Sequence, residues 1–192
     1  MTWVIIVVAV VVLAVAVWLV ATYNGLVQRR NRVDNAWSQI DVQLGRRRDL
    51  VPNLVETVKG YAAHERGTFE AVTAARAAAA AASTPAQAAT AEGELSQALG
   101  RLLAVAEAYP QLKADANFRD LQAQLGETEN RIAVSRQVYN DTVLTYQNSI
   151  QTFPTMLVAR PFGFTDREYF ELSDAARAVP EVRFDSPPNP ES

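Results

Sequence analysis

From Trp3 to Ala21 the chain is wholly apolar, 19 consecutive residues without a charge, a hydroxyl or an amide side chain. At a rise of about 1.5 Å per residue, a helix of that length spans roughly 28 Å, close to the hydrocarbon thickness of a bilayer. Residues 1–21 therefore read as one transmembrane anchor. A cleaved signal peptide needs a basic stretch ahead of a shorter apolar core, and no lysine or arginine precedes Trp3. Trp3, Trp18 and Tyr23 stand near the ends of the run, where amphipathic rings favour the membrane interface. Arg29, Arg30 and Arg32 follow soon after it. The positive-inside rule then places the N-terminus outside and everything beyond Ala21 in the cytoplasm.

Beyond the anchor the apolar residues recur with the period of helices. Val33, Trp37, Ile40 and Leu44 are spaced by four, three and four, which lays them along one helical stripe. Gly25 is the one weak point between Ala21 and Leu44. Asp49 and Pro52 signal a restart, since aspartate caps orphan amides and proline suits a first turn. Leu54, Val58, Tyr61, Phe69 and Val72 form a second stripe that runs into alanine-rich sequence; Ser83, Thr84 and Pro85 make a turn. Leu95, Leu99, Leu102 and Ala106 form a third stripe, ended by Tyr109 and Pro110. The fourth runs from Phe118 through Leu125, Ile132, Tyr139 and Tyr146 to Ile150 and Phe153 in a near-heptad rhythm. The expected fold class is all-α: a single N-terminal transmembrane helix, then an antiparallel up-and-down bundle of four long helices over residues 22–153. The helices are expected at about 3–48, 50–82, 86–109 and 116–153. Residues 154–178 form an aromatic-rich segment near the membrane, and the Pro-rich acidic tail, 179–192, reads as disordered.

Composition removes most chemistry. Without cysteine there is no disulfide framework, thiolate metal site or cysteine nucleophile, and His64 is the only histidine. The net charge of −3 gives no basic footprint for nucleic acid. Asp41, Glu65, Glu107 and Glu129 fall on or beside the buried stripes of different helices, like the carboxylate cages of di-iron bundles. Those cages also use Glu-x-x-His repeats, which this chain lacks. No metal, cofactor or catalytic residue is expected. The carboxylates are read instead as setting register by meeting Arg131, Arg136 or the run Arg46, Arg47 and Arg48 across helix interfaces. His64 is read as a hydrogen-bonded core or interface residue.

The arginine run has two readings: it complements the last turn of a helix, or it meets a partner's acidic surface. It does not reach lipid. On a straight helix Arg47 lies about 39 Å beyond Ala21, whereas Arg29 lies only about 12 Å beyond it, and screening acts over about 8 Å. Phe162, Phe164, Tyr169 and Phe170, with Arg160 and Arg167 among them, either form an interfacial anchor or pack back on the bundle and close its open end. The second placement is favoured.

Several stretches are specific enough to carry a resemblance. They are Tyr23-Asn24, Arg29-Arg30-Asn31, the block Ala36 to Leu44 (AWSQIDVQL), and the block from Arg46 to Glu65 that contains Arg46-Arg47-Arg48-Asp49-Leu50-Val51-Pro52-Asn53-Leu54 and Gly60-Tyr61-Ala62-Ala63-His64-Glu65. Later come Glu107-Ala108-Tyr109-Pro110, Tyr139-Asn140, Phe153-Pro154 and Phe162-Gly163-Phe164. Over residues 3 to 172 the chain resembles the LemA family of bacterial membrane proteins. The resemblance implies one N-terminal membrane anchor at the bacterial cell membrane, an antiparallel bundle of long helices and no established enzymatic activity. It also implies association with the envelope, where one branch is linked to magnetosome formation and genes for membrane proteases often lie nearby. The expected function is a non-enzymatic scaffold or adaptor on the lipid bilayer. Its partners would be further copies of itself or a membrane protein such as a protease. The alternative is an accessory subunit or enzyme with a polar site between its helices.

Overall fold

The computed structural model describes residues 1–171. The expected tail, 179–192, and the end of the aromatic-rich segment lie outside the described residues. Every regular element among those residues is a helix: α1 (Thr2–Lys59), α2 (Arg66–Ala81), α3 (Pro85–Glu107), α4 (Pro110–Ala114), α5 (Ala116–Gln151) and α6 (Met156–Ala159). α1 is one unbroken helix of 58 residues, about 87 Å long. Its N-terminal part is long and apolar enough to cross a membrane, with a mean hydropathy of 3.4 over a window of which no residue is buried inside the protein.

The restart expected at Asp49 and Pro52 does not occur. Pro52 lies inside α1, and residues 50–59, with Leu54 and Val58, belong to the first helix rather than the second. Proline lacks the N–H that would bond the carbonyl four residues back, which here is the carbonyl of Arg48. Arg76 Nε of α2 donates to that oxygen at 2.8 Å instead, so the helix continues past a proline with its freed acceptor satisfied. The chain reverses only at residues 60–65, where Tyr61 N and Ala62 N both donate to Val58 O. Ala62 is buried there while Tyr61 is largely exposed. The remaining junctions follow local chemistry. Thr84 caps α3 ahead of Pro85 by accepting from Gln87 N, and Asp115 caps α5 by accepting from Phe118 N at 3.0 Å. The Asp115 carboxyl is held below its ordinary pKa chiefly by that backbone bond.

The most extensive packing is between α1 and α5, followed by the α2–α3 pair. Arg47 meets Glu129 and Trp37 meets Tyr139, so α1 and α5 run in opposite directions. Two apolar clusters result. The one nearer the apolar run joins Leu26, Val33, Ile40 and Leu44 to Ile132, Tyr139, Val143, Tyr146 and Ile150, with Val158, Phe164 and Phe170. The distal one joins Val51, Leu54 and Val58 to Phe69, Val72, Leu95, Leu99, Leu102, Leu112, Phe118 and Leu125. Replacing Arg76 with Ala is expected to cost about 1.5 kcal/mol, the value of a hydrogen bond from a charged donor. In a Pro52→Ala background, where the N–H restored at position 52 can take the Arg48 carbonyl, the same replacement should cost clearly less. Urea unfolding of the detergent-solubilised chain, followed by far-UV circular dichroism, reads that difference as a double-mutant cycle.

Candidate functional site

On three helices the change from one apolar cluster to the other happens at a charged residue. On α1, Arg47 lies between Leu44 and Val51; on α3, Glu92 lies between Ala89 and Leu95; on α5, Glu129 lies between Leu125 and Ile132. These three side chains meet. Arg47 Nη2 pairs with Glu92 Oε2 and also donates to the Glu92 carbonyl at 2.9 Å. Arg47 Nη1 donates to Ser96 Oγ at 2.8 Å and to Glu129 Oε1 at 2.7 Å. Arg48 takes the other oxygen of Glu92 at 3.1 Å and reaches the Ala79 carbonyl of α2 and Asp41 Oδ1. The junction therefore ties α1, α2, α3 and α5 together.

The side chains of Arg47 and Glu92 are each only 2% exposed, whereas that of Glu129 is 41% exposed. Burial alone would lower the Arg47 pKa. The Glu92 and Glu129 charges outweigh it and hold the guanidinium above arginine's ordinary value. A cleft of about 170 Å³ beside the junction is lined by Arg47, Glu92, Ser96, Glu129, Arg136 and Phe170. Its charges are largely engaged with one another, and it holds no nucleophile paired with a base.

A second polar system lies between the junction and the apolar run. Residues 164–171 belong to no helix or strand, and side chains of α5 hold their backbone. Tyr139 Oη donates to Glu168 O at 2.7 Å, Tyr146 Oη to Thr165 O at 3.0 Å and Gln147 Nε2 to Arg167 O at 2.8 Å. Asn140 closes a reciprocal pair with Phe170 N and O. Tyr169 Oη donates to Gln147 Oε1, and Arg167 pairs with Asp34 of α1 at 3.0 Å. The rings of Tyr139 and Phe170 both pack on Trp37. Burial pushes the Tyr139 phenol up to about 12 and raises that of Tyr146 as well.

The expected site residues divide clearly against this geometry. Trp3 and Trp18 are exposed along the apolar run, and Arg29 and Arg32 are exposed beyond it. Tyr23 meets Phe162 and Phe164 edge-on, and Arg30 lies over the Phe164 ring. Arg47 is neither a helix-end cation nor available to a partner's acidic surface, because α1 continues past it and buries it. Arg48 is occupied by the same junction. Arg46 is exposed, in a shallow cleft with Glu127 and Arg131. The four singled-out carboxylates are not brought together: Asp41 reaches Arg48, Glu107 pairs with Lys113 at 2.6 Å, Glu65 sits at the start of α2 and Glu129 joins Arg47. Among the described residues no three His, Asp or Glu side chains are placed to hold a metal ion. His64 is exposed in the α1–α2 turn, not a core residue, because the reversal falls there instead of at Pro52. Phe164 and Phe170 are buried in the protein, Tyr169 is half-buried and only Phe162 is exposed. The first two are therefore not interfacial anchors. Glu92 is not among the expected residues, although its spacing of three from Leu95 puts it in the third stripe.

The family model described as the LemA family matches residues 36–184. Two curated proteins, magnetosome proteins MamQ 1 and MamQ 2 of Paramagnetospirillum magneticum, are each 38% identical over 85 residues, 44% of this chain and 31% of theirs. Magnetosome protein MamQ of Magnetospirillum gryphiswaldense is 34% identical over the same length and shares. The matched stretch spans less than a third of these relatives.

Substituting Arg47 with Met leaves the buried Glu92 with Arg48 as its remaining charged partner. It should cost about 3 kcal/mol, the low end for breaking a buried pair, and adding Glu92→Leu should restore most of that; thermal unfolding of the three proteins in one detergent checks it. The folded chain keeps Tyr139 neutral to about pH 12, while an unfolded tyrosine ionises near pH 10. The unfolded state thus loses its proton first, and stability should fall as pH rises through that window. Tyr139→Phe should flatten the fall and remove the latest-titrating tyrosine from the ultraviolet absorbance titration.

Proposed function

The chain belongs to the LemA family, and from that premise we propose that it is a non-catalytic, membrane-anchored helical scaffold or adaptor. One observation carries the reading. A single helix is uncovered and apolar over its first part and buried along one stripe over the rest, so attachment and display are parts of one rigid element. Apolar surface of that extent does not persist in water, and a bilayer covers it. In this reading the run crosses a bacterial inner membrane once. Arg29, Arg30 and Arg32 favour an outside N-terminus with the remaining helices in the cytoplasm. Those helices act as an antiparallel bundle whose outer face engages another copy or an envelope membrane protein such as a protease. The mutual engagement of Arg47, Glu92 and Glu129 supports a structural role over a chemical one, and the similarity to proteins named for the magnetosome fits an organising task.

Alkaline-washed native membranes should retain the chain, and crosslinking in them should capture it as a discrete higher-mass species. Val10→Arg with Ala14→Arg, at about 2.5–3.5 kcal/mol for each charge at the centre of the span, should move it to the wash. A wild-type chain that washes off, or that crosslinks to nothing, sinks the proposal.

A further inference from the structure

Seven phenylalanines occur in the sequence, and the burial of the six among the described residues is uneven. Phe69, Phe118, Phe164 and Phe170 are buried, whereas Phe153 is 72% and Phe162 60% exposed. Both exposed rings fall in the segment that follows α5, together with Leu157, which is 59% exposed. That segment is held in place: Val158 and Ala159 on α6 are buried, and α6 packs on α1. Gly163, at a φ of 73°, takes the left-handed conformation that lets the chain reverse. Phe162 therefore faces out while Phe164 faces in.

The segment also sits at a defined height. The Phe162 ring centroid lies 5.2 Å from that of Tyr23, and Tyr23 is only about 3 Å along α1 from the end of the apolar run. The register that sets Arg47 against Glu129 and Trp37 against Tyr139, carried on along the two helices, brings Phe153 level with Tyr23. Headgroup layers are roughly 5–8 Å thick on each side of the hydrocarbon. Exposed cations lie at that height, Arg29 on α1 and Arg160 after α6; no acidic residue precedes Asp34, none lies between Asp141 and Asp166, and Asp166 accepts from Gln151 Nε2 at 3.1 Å.

We infer that residues 152–163 form a second contact with the bilayer, on the same leaflet from which α1 emerges. Phe153, Leu157 and Phe162 enter the headgroup layer, and Arg29 and Arg160 meet anionic phosphates. This rests on the anchored reading of α1 and adds that the chain touches the membrane at two places. The occupant is a phospholipid interface because the patch is continuous with the membrane-crossing helix and sets exposed rings beside the cations Arg29 and Arg160.

The chain has no cysteine, so single labels are unambiguous. Leu157→Cys, Phe162→Cys and, as a distal reference, Gln122→Cys are each labelled with an environment-sensitive fluorophore. The full chain is then reconstituted in vesicles of phosphatidylcholine and phosphatidylglycerol containing a headgroup-level nitroxide lipid. Probes at 157 and 162 should emit at shorter wavelength and be quenched several-fold more strongly than the probe at 122, which lies about 50 Å from the bilayer. Water-like, weakly quenched emission at both positions in a chain that stays with the vesicles overturns the second contact alone. A chain lost from the vesicles on alkaline washing overturns the anchored reading and this one with it.

Discussion

The junction of Arg47, Glu92 and Glu129 is the constraint on which the helix arrangement depends. Apolar stripes give adhesion without a unique sliding position, and the alanine-rich surfaces of α2 and the start of α3 offer little relief to resist a shift of one turn. A buried guanidinium with five donors in a fixed fork does resist it. Sliding α3 by one turn would carry Glu92 about 5 Å from Arg47 and strip a buried carboxylate of its closest cation, at a cost of several kcal/mol. Because the same arginine also binds Glu129 of α5, one residue of α1 fixes two partners at once. Arg48 adds α2 through the Ala79 carbonyl.

Packing on the two sides of that layer is solved differently. Distally, α2 and α3 cover α1 with ordinary apolar contacts. Nearer the apolar run, helix α2 is absent and only the first turns of α3 reach in through Ala88 and Ala89. There the α1–α5 pair is covered by extended chain from Phe164 to Phe170. Backbone without helix or sheet must still satisfy its polar groups. Tyr139, Asn140, Tyr146 and Gln147 do this, and their seven-residue spacing along α5 keeps all four donors on one face. The buried rings of Phe164 and Phe170 supply the apolar part of the same cover.

How much of this was legible in the sequence varied with how local the cause is. The apolar run, the capped starts at Pro85 and Ala116 and the stripe from Phe118 to Ile150 need only neighbours three or four residues apart, and each element lies where the spacing puts it within a few residues. The end of α1 is not legible locally, because the group that makes Pro52 tolerable is Arg76, 24 positions away. Arg47 was legible in principle: it follows Leu44 by three and precedes Val51 by four, so the stripe itself placed a charge in the core. The three arginines do not act as one run, because the helix separates them by about 100° each. Phe162 and Phe164 part at the reversal at Gly163, and periodicity alone does not tell which of the two rings is buried; both meet the ring of Tyr23.

The continuity of α1 through Gly25 and Pro52 to Lys59 has a mechanical consequence. In the anchored reading proposed above, about 57 Å of stiff lever projects from the bilayer surface to the distal turn. Transmembrane helices commonly tilt by about 20° from the membrane normal, and a change of that size at the pivot would swing the far tip sideways by about 20 Å. Small shifts in bilayer thickness or in neighbours packed on such an anchor would thereby become large excursions of the α1–α2 turn.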